Sequence, residues 1–492
     1  MARNRLRFLR NGKPVELGEV GADEMLLDYL RQREKATGTK EGCNEGDCGA
    51  CTVAVGRLRG GRLVYEPVNA CIRLLGSVDG CDVVTVEDLA ENGALHPAQQ
   101  AMVDFHGSQC GFCTPGIVMS LFALYHAGIQ PDRQTVNDWL AGNLCRCTGY
   151  RPIAEAALAT IDGKPADALA KRKAATVRKL KSLDDGEDLF IGTKDRFIAA
   201  PASTASLALL YSKHPDATVV GGATDVGLWI TKQLRDLPKV ILTGRAKDFA
   251  EIAVTRDSVR IGAGATYAEA FDALTSIDPD IGEVLRRLGS MQVRASGTVG
   301  GNIANGSPIG DTPPMLIALG AELELLAGRK KRTIPLEKFF LAYGRQDRKP
   351  GELVAAVTVP KLKRNQHFRA YKISKRFDQD ISGLLGAFRI AVEKGRVIEA
   401  RIAFGGMAAT PKRATATEAA IVGARLDDET TWHSAAAALG DDFRPISDMR
   451  ASASYRLQVT RSLLRKALTE IAAGDSRATR VAGVREKAEA AE

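Results

Sequence analysis

Three cysteines crowd one glycine-rich run, Gly42-Cys43-Asn44-Glu45-Gly46-Asp47-Cys48-Gly49-Ala50-Cys51, and a fourth, Cys71, follows. Cys-x4-Cys-x2-Cys with a distant fourth cysteine is the ligand spacing of a [2Fe–2S] site. Two bridged irons need four thiolates converging on one small volume. A single loop can supply three only if its backbone curls tightly. Gly42, Gly46 and Gly49 give that freedom, and their missing side chains let peptide N–H groups approach the sulfurs. The fourth thiolate, from elsewhere in the chain, locks the loop. A structural zinc loop is the alternative, but zinc favours short paired spacings that this run lacks.

A chain of 492 residues is long enough for roughly three or four domains, each with its own core. Hydrophobic content of 45% and charged content of 26% are those of a globular protein. The basic start has no apolar stretch behind it of the kind a secretory signal needs. The most apolar run, residues 117–129, is too short to span a bilayer and contains Ser120, Tyr125 and His126. These features predict a cytoplasmic protein outside the membrane, whose cysteines are ligands or thiols and not disulfides. The net charge of +9 is modest. Part of the excess lies between Lys164 and Lys181, a segment without an aromatic residue. Nucleic-acid binding would want basic residues interleaved with aromatics, so this stretch reads as a solvated connection, with a docking strip for an acidic partner as the weaker reading.

Along the chain, Leu6 to Leu17 reads as a hairpin about Asn11-Gly12. Asp23 reads as the N-cap of a helix through Arg33. Strands follow at 51–55 and 83–86, giving a small mixed sheet with one helix. From His96 the period becomes helical, with helices at 97–106, 114–126, 132–141 and 150–160. Their loops carry Cys110-Gly111-Phe112-Cys113 and Cys145-Arg146-Cys147. Cys-x-x-Cys in a turn aims two sulfurs at one ion, and Cys-x-Cys in extended backbone does the same. On spacing alone zinc is a serious rival here. A thioredoxin-like pair is disfavoured, because no βαβ pattern surrounds Cys110. Cys81 has no partner spacing and reads as a lone thiol.

Residues 162–195 are rich in Ala, Lys and Asp and read as a mobile linker. A β run at Thr218 leads into Val219-Val220-Gly221-Gly222-Ala223-Thr224-Asp225-Val226-Gly227. Paired glycines after a strand expose N–H groups that suit a diphosphate. Alone this is a weak signal, and it is not the G-x-G-x-x-G of a Rossmann fold. A second glycine loop, Gly297-Thr298-Val299-Gly300-Gly301-Asn302-Ile303, leads to Ser307-Pro308-Ile309-Gly310-Asp311 and strengthens it. Strands at 384–392 and 397–404, with helices at 417–421 and 452–471, predict an α+β cap. Gly405-Gly406-Met407 reads as a turn, and the chain from Asp475 as a frayed tail.

The strings Gln109-Cys110-Gly111-Phe112-Cys113-Thr114-Pro115-Gly116 and Gly142-Asn143-Leu144-Cys145-Arg146-Cys147-Thr148-Gly149-Tyr150 closely resemble those of the molybdenum hydroxylase family. With the first cysteine run, nearly the whole chain resembles the small iron–sulfur and flavin subunits of the bacterial xanthine dehydrogenases within it. The resemblance implies an α+β multidomain protein. A plant-type, β-grasp ferredoxin domain would occupy residues 1–90 and a four-helix [2Fe–2S] domain 91–161. A linker at 162–195, a two-subdomain FAD-binding domain at 196–380, a C-terminal flavoprotein domain at 381–475 and a tail at 476–492 complete it. It implies that Cys43, Cys48, Cys51 and Cys71 hold one cluster, and Cys110, Cys113, Cys145 and Cys147 a second. It implies FAD contacts at Val219, Val220, Gly221, Gly222, Ala223, Thr224, Asp225, Val226, Leu288, Thr298, Gly301, Asn302, Asp311, Val354 and Lys372. The chain departs from the pattern at two positions. Leu288 stands where some relatives have a flavin-stacking aromatic, and Thr298 stands for a serine but keeps the hydroxyl.

The implied activity is electron transfer. Xanthine or hypoxanthine would be hydroxylated to urate at a molybdenum cofactor on a larger partner subunit, in an (αβ)2 heterotetramer. Electrons would cross both clusters to FAD and then NAD+. An equivalent subunit acting on an aldehyde or N-heterocycle is the alternative, and a stand-alone ferredoxin-like carrier a further one. The six histidines are scattered, without zinc-type pairing, and no acid–base pair stands out as catalytic.

Overall fold

The computed structural model describes residues 2–486. The N-terminal unit is a five-stranded sheet in the order Lys13–Leu17, Leu6–Arg10, Asp82–Val84, Thr52–Arg59, Arg62–Asn69. The first two strands form the expected hairpin, with Asn11 and Gly12 both at positive φ in its turn. The helix is shorter than the sequence suggests. It runs over Leu26–Asp28 and widens into a π-turn at Tyr29–Arg33, with Met25 and not Asp23 at its N-cap. Thr52, Val53, Ala54 and Val55 are all buried. A continuous buried run marks a strand covered on both faces. Val53 and Val55 belong to one buried apolar cluster with Leu26, Leu27 and Leu30 of the helix and with Ile198, Val240 and Leu242 of the flavin-type domain, whereas Ala54 belongs to another with Ile117, Leu121 and Phe122 of the helical domain.

The helical domain holds four helices, Pro97–Asp104, Thr114–His126, Arg133–Leu140 and Arg151–Thr160, within a few residues of those expected. The second has Pro115 in its first turn and is buried from Gly116 to Tyr125.

The segment 162–195 is not a mobile linker. It contains helices Ala168–Lys171 and Lys173–Leu183 and the strand Leu189–Gly192. Leu169 and Leu180 are buried, with Val177 and Leu183 packed beside them. These apolar residues at helical spacing were masked by the Ala/Lys composition. Lys179 Nζ donates to Gly12 O at 2.7 Å, and Arg172 donates to Asn11 Oδ1. Asp167 accepts from His96 Nε2 and His126 Nε2, each at 3.1 Å.

The flavin-type region has two sheets. One is ordered Leu189–Gly192, Phe197–Ala200, Lys239–Leu242, Thr218–Val220, its last two pairings parallel. The other is antiparallel, ordered Ile252–Val254, Ser258–Gly262, Leu353–Pro360, Glu322–Ala327, Lys330–Pro335. The C-terminal sheet comprises Gln366–Ile373, Leu384–Glu393, Arg396–Gly405 and Lys412–Arg413. It therefore starts ahead of residue 381, because Phe368, Ala370 and Tyr371 are buried in pairing with Leu384–Glu393. The expected tail is also docked over its described part. Arg480 pairs with Asp280 at 2.8 Å and with Glu470 at 2.6 Å, and Arg485 pairs with Asp278 at 2.8 Å. Residues 487–492 of that expectation lie outside the described residues. Among the described residues no helix is long and apolar enough to cross a membrane.

Candidate functional site

All four cysteines of the first quartet meet. Cys43 Sγ accepts backbone N–H groups from Asp47 at 3.4 Å and Cys48 at 3.3 Å. Cys51 and Cys71 sulfurs lie 3.2 Å apart. The loop geometry explains the glycines. Gly46 and Gly49 have φ of +78° and +70°, and a Cβ on Gly49 would lie 2.0 Å from Gly142 O. Asn69 Nδ2 donates to Gly46 O at 2.7 Å, holding the turn. Hydrogen bonds from the Cys48 and Cys71 thiols, aided by those peptide N–H groups, pull the Cys43 thiol well below its ordinary range. The same contacts and burial push Cys48 and Cys71 up.

The second quartet also converges, in pairs. Cys147 lies beside Cys110, and Cys113 beside Cys145. Burial, with the hydrogen bond to Cys145, pushes the Cys113 thiol up to about 12. Burial would raise Cys145 too, but the Thr148 hydroxyl at 3.3 Å, the backbone N–H groups of Thr148 and Cys147 and the Cys113 thiol together outweigh it and lower that thiol. Cys110 and Cys147 are exposed.

The pairing bears on the metal. A tetrahedral zinc with Zn–S bonds of about 2.3 Å brings all four sulfurs within about 4 Å of one another. Among the described residues, one group of three candidate ligands lies within 4.8 Å, and it is His96, His126 and Asp167, without a cysteine. Sulfurs arranged two and two suit two bridged irons. The histidine group is itself no ready metal site. Ala98 N–H donates to His96 Nδ1 at 3.0 Å, so the ring proton of neutral His96 sits on Nε2, facing Asp167.

The two quartets are joined by a buried amide network that the sequence reading missed. Asn143, two residues before Cys145, donates to Gly49 O at 3.2 Å and Thr52 Oγ1 at 3.3 Å. Ser120 Oγ donates to Asn143 Oδ1 at 2.6 Å, and Leu144 N to Cys48 O at 2.9 Å. Gln292, from the flavin-type domain, donates to Asn143 Oδ1 at 2.9 Å and reaches Thr52 and Ser120 at 3.2 Å. Three domains thus share one seam beside both cysteine loops.

The two glycine loops line a cleft of about 480 Å³, within the range of cofactor sites. Val219, Gly221, Gly222, Ala223, Thr224, Asp225 and Val226 line one wall, and Leu288, Thr298, Gly301 and Asn302 another. A Cβ on Gly222 would lie 1.7 Å from Ser296 O, so the loops press backbone to backbone. Thr298 Oγ1 accepts from Gly301 N at 3.0 Å as the N-cap of the helix Val299–Asn305. Thr312 Oγ1 donates to Asn302 Oδ1 at 2.8 Å, fixing that amide. Arg294, which burial lowers to about 10, donates to Arg286 O at 2.8 Å and Leu288 O at 3.2 Å, holding the Leu288 turn. Burial raises the Asp225 carboxyl, against a hydrogen bond from Trp229. The exposed backbone donors and apolar walls fit a dinucleotide.

Other expected contacts lie apart. Val220 and Val354 are buried in strands and do not line the cleft. Asp311 and Lys372 form a buried ion pair at 2.5 Å, with Ser382 Oγ donating to the same carboxylate at 2.5 Å. Tyr211, Trp229 and Arg348 also line the cleft. No motif marked them, because they come together only through the fold.

Four family models match in sequence. They are a 2Fe-2S iron-sulfur cluster binding domain over residues 8–72, a [2Fe-2S] binding domain over 85–158, the FAD binding domain in molybdopterin dehydrogenase over 193–362, and the CO dehydrogenase flavoprotein C-terminal domain over 369–471. The chain is similar to xanthine dehydrogenase of Drosophila subobscura, 32% identical with 97% of the chain covered. It is also similar to aldehyde oxidase 1 of Macaca fascicularis, 30% identical with 82% covered. It spans 40% and 34% of the length of these relatives. In structure it is similar to a chain of reconstituted CO dehydrogenase from Oligotropha carboxidovorans, with TM-score 0.53 and 26% identity, over 57% of this chain and 98% of that one. With two iron–sulfur domains, a flavin domain and its C-terminal companion in this order, the chain belongs to the molybdenum hydroxylase family, as its iron–sulfur and flavin part.

Proposed function

We propose that the chain is the electron-transfer part of a cytoplasmic xanthine dehydrogenase. Electrons would come from a molybdenum cofactor on a larger partner subunit, where xanthine or hypoxanthine becomes urate, and leave to NAD+. Bound clusters supply one-electron relays, and bound FAD exchanges single electrons for a hydride. The chain's own residues do the rest. Cys43, Cys48, Cys51 and Cys71 hold one cluster, and Cys110, Cys113, Cys145 and Cys147 the other. Backbone N–H groups of residues 221–225 and the Thr298 loop would receive the FAD diphosphate, and Lys372 neutralises Asp311 in a buried ion pair. The observation that carries this reading is the shared seam, in which Asn143 and Gln292 tie both cysteine loops to the flavin-type domain.

Exposed Cys110 and Cys147, with Phe112, Leu144 and Tyr150 exposed near them in sequence, support the helical domain as the side facing the partner. An (αβ)2 heterotetramer is the proposed assembly. The likeness to aldehyde oxidase 1 favours a second reading, the equivalent part of a hydroxylase acting on an aldehyde or N-heterocycle. The test is to purify the chain with whatever larger molybdenum-bearing chain accompanies it. NADH formation from xanthine supports the first reading. Turnover of aldehydes alone supports the second, and the absence of any accompanying larger chain contradicts both.

A further inference from the structure

The short helix Val226–Thr231 continues directly from the first glycine loop and leans on the first cysteine loop. At its start Gly227 is buried against the residue after Cys71; a Cβ there would lie 2.6 Å from Ile72 O. Beyond its end Lys232 Nζ donates to Cys43 O at 2.6 Å. The same ammonium lies 3.4 Å from Glu45 Oε2. One turn-and-a-half of helix therefore touches two ligand segments, and it does so from the flavin cleft. Nothing in the motif requires a cation here. The peptide N–H groups of Asp47 and Cys48 already serve the Cys43 sulfur.

We propose that Lys232 is a positioning residue for the plant-type centre whose fixed positive charge raises that centre's reduction potential, with Glu45 opposing it. The inference rests on the iron–sulfur reading of Cys43, Cys48, Cys51 and Cys71. Reduction adds one negative charge to the centre. A cation hydrogen-bonded to a ligand's own peptide stabilises the reduced state more than the oxidised one. A carboxylate beside that cation cancels part of the effect. Lys232 and Glu45 are each 42% exposed in their side chains, so salt screens the effect. A purely mechanical role would hold the loop without moving the potential.

The test is an EPR-monitored redox titration of the cluster-loaded chain and its variants, at low and high salt. Lys232→Met is expected to lower the one-electron reduction equilibrium of the plant-type centre about threefold to tenfold, up to about 59 mV. Lys232→Arg keeps the wild-type value, and Glu45→Gln shifts it in the opposite direction to Lys232→Met. High salt shrinks both shifts, and the helical-domain centre stays put. If Lys232→Met fails to take up the cluster, Glu45→Gln decides, since Glu45 makes no side-chain hydrogen bond among the described residues. An unmoved plant-type potential in Glu45→Gln, or equal shifts in both centres, overturns the proposal. A wild-type chain without [2Fe–2S] signals overturns the iron–sulfur reading itself, and this inference with it.

Discussion

Gly49 and Gly222 show how single side chains would divide the cofactors between them. Gly49 adopts φ +70° and faces Gly142 O, so Gly49→Ala incurs about 1–2 kcal/mol for the left-handed backbone before any clash is relieved. Its product is expected to lose the plant-type EPR signal while keeping the helical-domain one. Gly222→Ala drives a methyl into Ser296 O. It is expected to lower FAD affinity at least tenfold at unchanged iron content, measured by released flavin and total iron. Retention of flavin there would contradict the assignment of the cleft. Lys372→Met leaves Asp311 buried and unpaired, at a cost of about 3–5 kcal/mol. A thermal melt should show it, with Asp311→Asn in the same chain restoring part of the loss. The cysteines were legible in sequence because a cluster demands one residue type at fixed spacing. Asn143, Gln292 and Lys232 were not, because their partners lie far along the chain: Gln292 is 149 residues from Asn143, and Lys232 is 189 from Cys43.

At the scale of elements, the helices of the second cysteine domain were readable from their period and from Pro115. The segment 162–195 misled because its composition is polar while its few apolar residues fall on one helical face. Asp167 latches this segment to two histidines of the helical domain. Burial alone would raise its carboxyl, but the bonds from His126 and His96 outweigh this and hold it well below the usual carboxylate range. Trypsin is therefore expected to spare the basic run 171–181 in the wild type and to cut it rapidly in Asp167→Asn. Equal cleavage rates would return the segment to a mobile linker. The docked tail makes a pH prediction. Burial opposes ionisation of Glu470, yet Arg480 and Thr479 hold its carboxyl down to about 2. A depressed folded value gives stability that is full above the unfolded value of about 4.3 and lost as pH falls toward 2. Denaturant titrations should show a constant gap between wild type and Arg480→Ala from pH 7 to 5, narrowing below about pH 4. A gap that widens on acidification would contradict the pairing.

Over the whole molecule, the N-terminal unit stands between the other two, sharing one buried apolar cluster with the helical domain and another with the flavin-type sheet. The seam of Thr52, Ser120, Asn143 and Gln292 lies where the three meet, beside both cysteine loops. Domain order and type could be read from motifs, whereas this arrangement could not, because it depends on apolar residues far apart in the chain that meet only through the fold. The central claim is that one chain holds two iron–sulfur centres wired to a flavin. The most direct measurement is the iron, zinc and flavin content of the purified chain, with an EPR spectrum of the reduced protein. The account predicts about four irons and one FAD per chain, no stoichiometric zinc, and two distinct [2Fe–2S] signals. Zinc at either quartet, or a chain that binds no flavin, would contradict it.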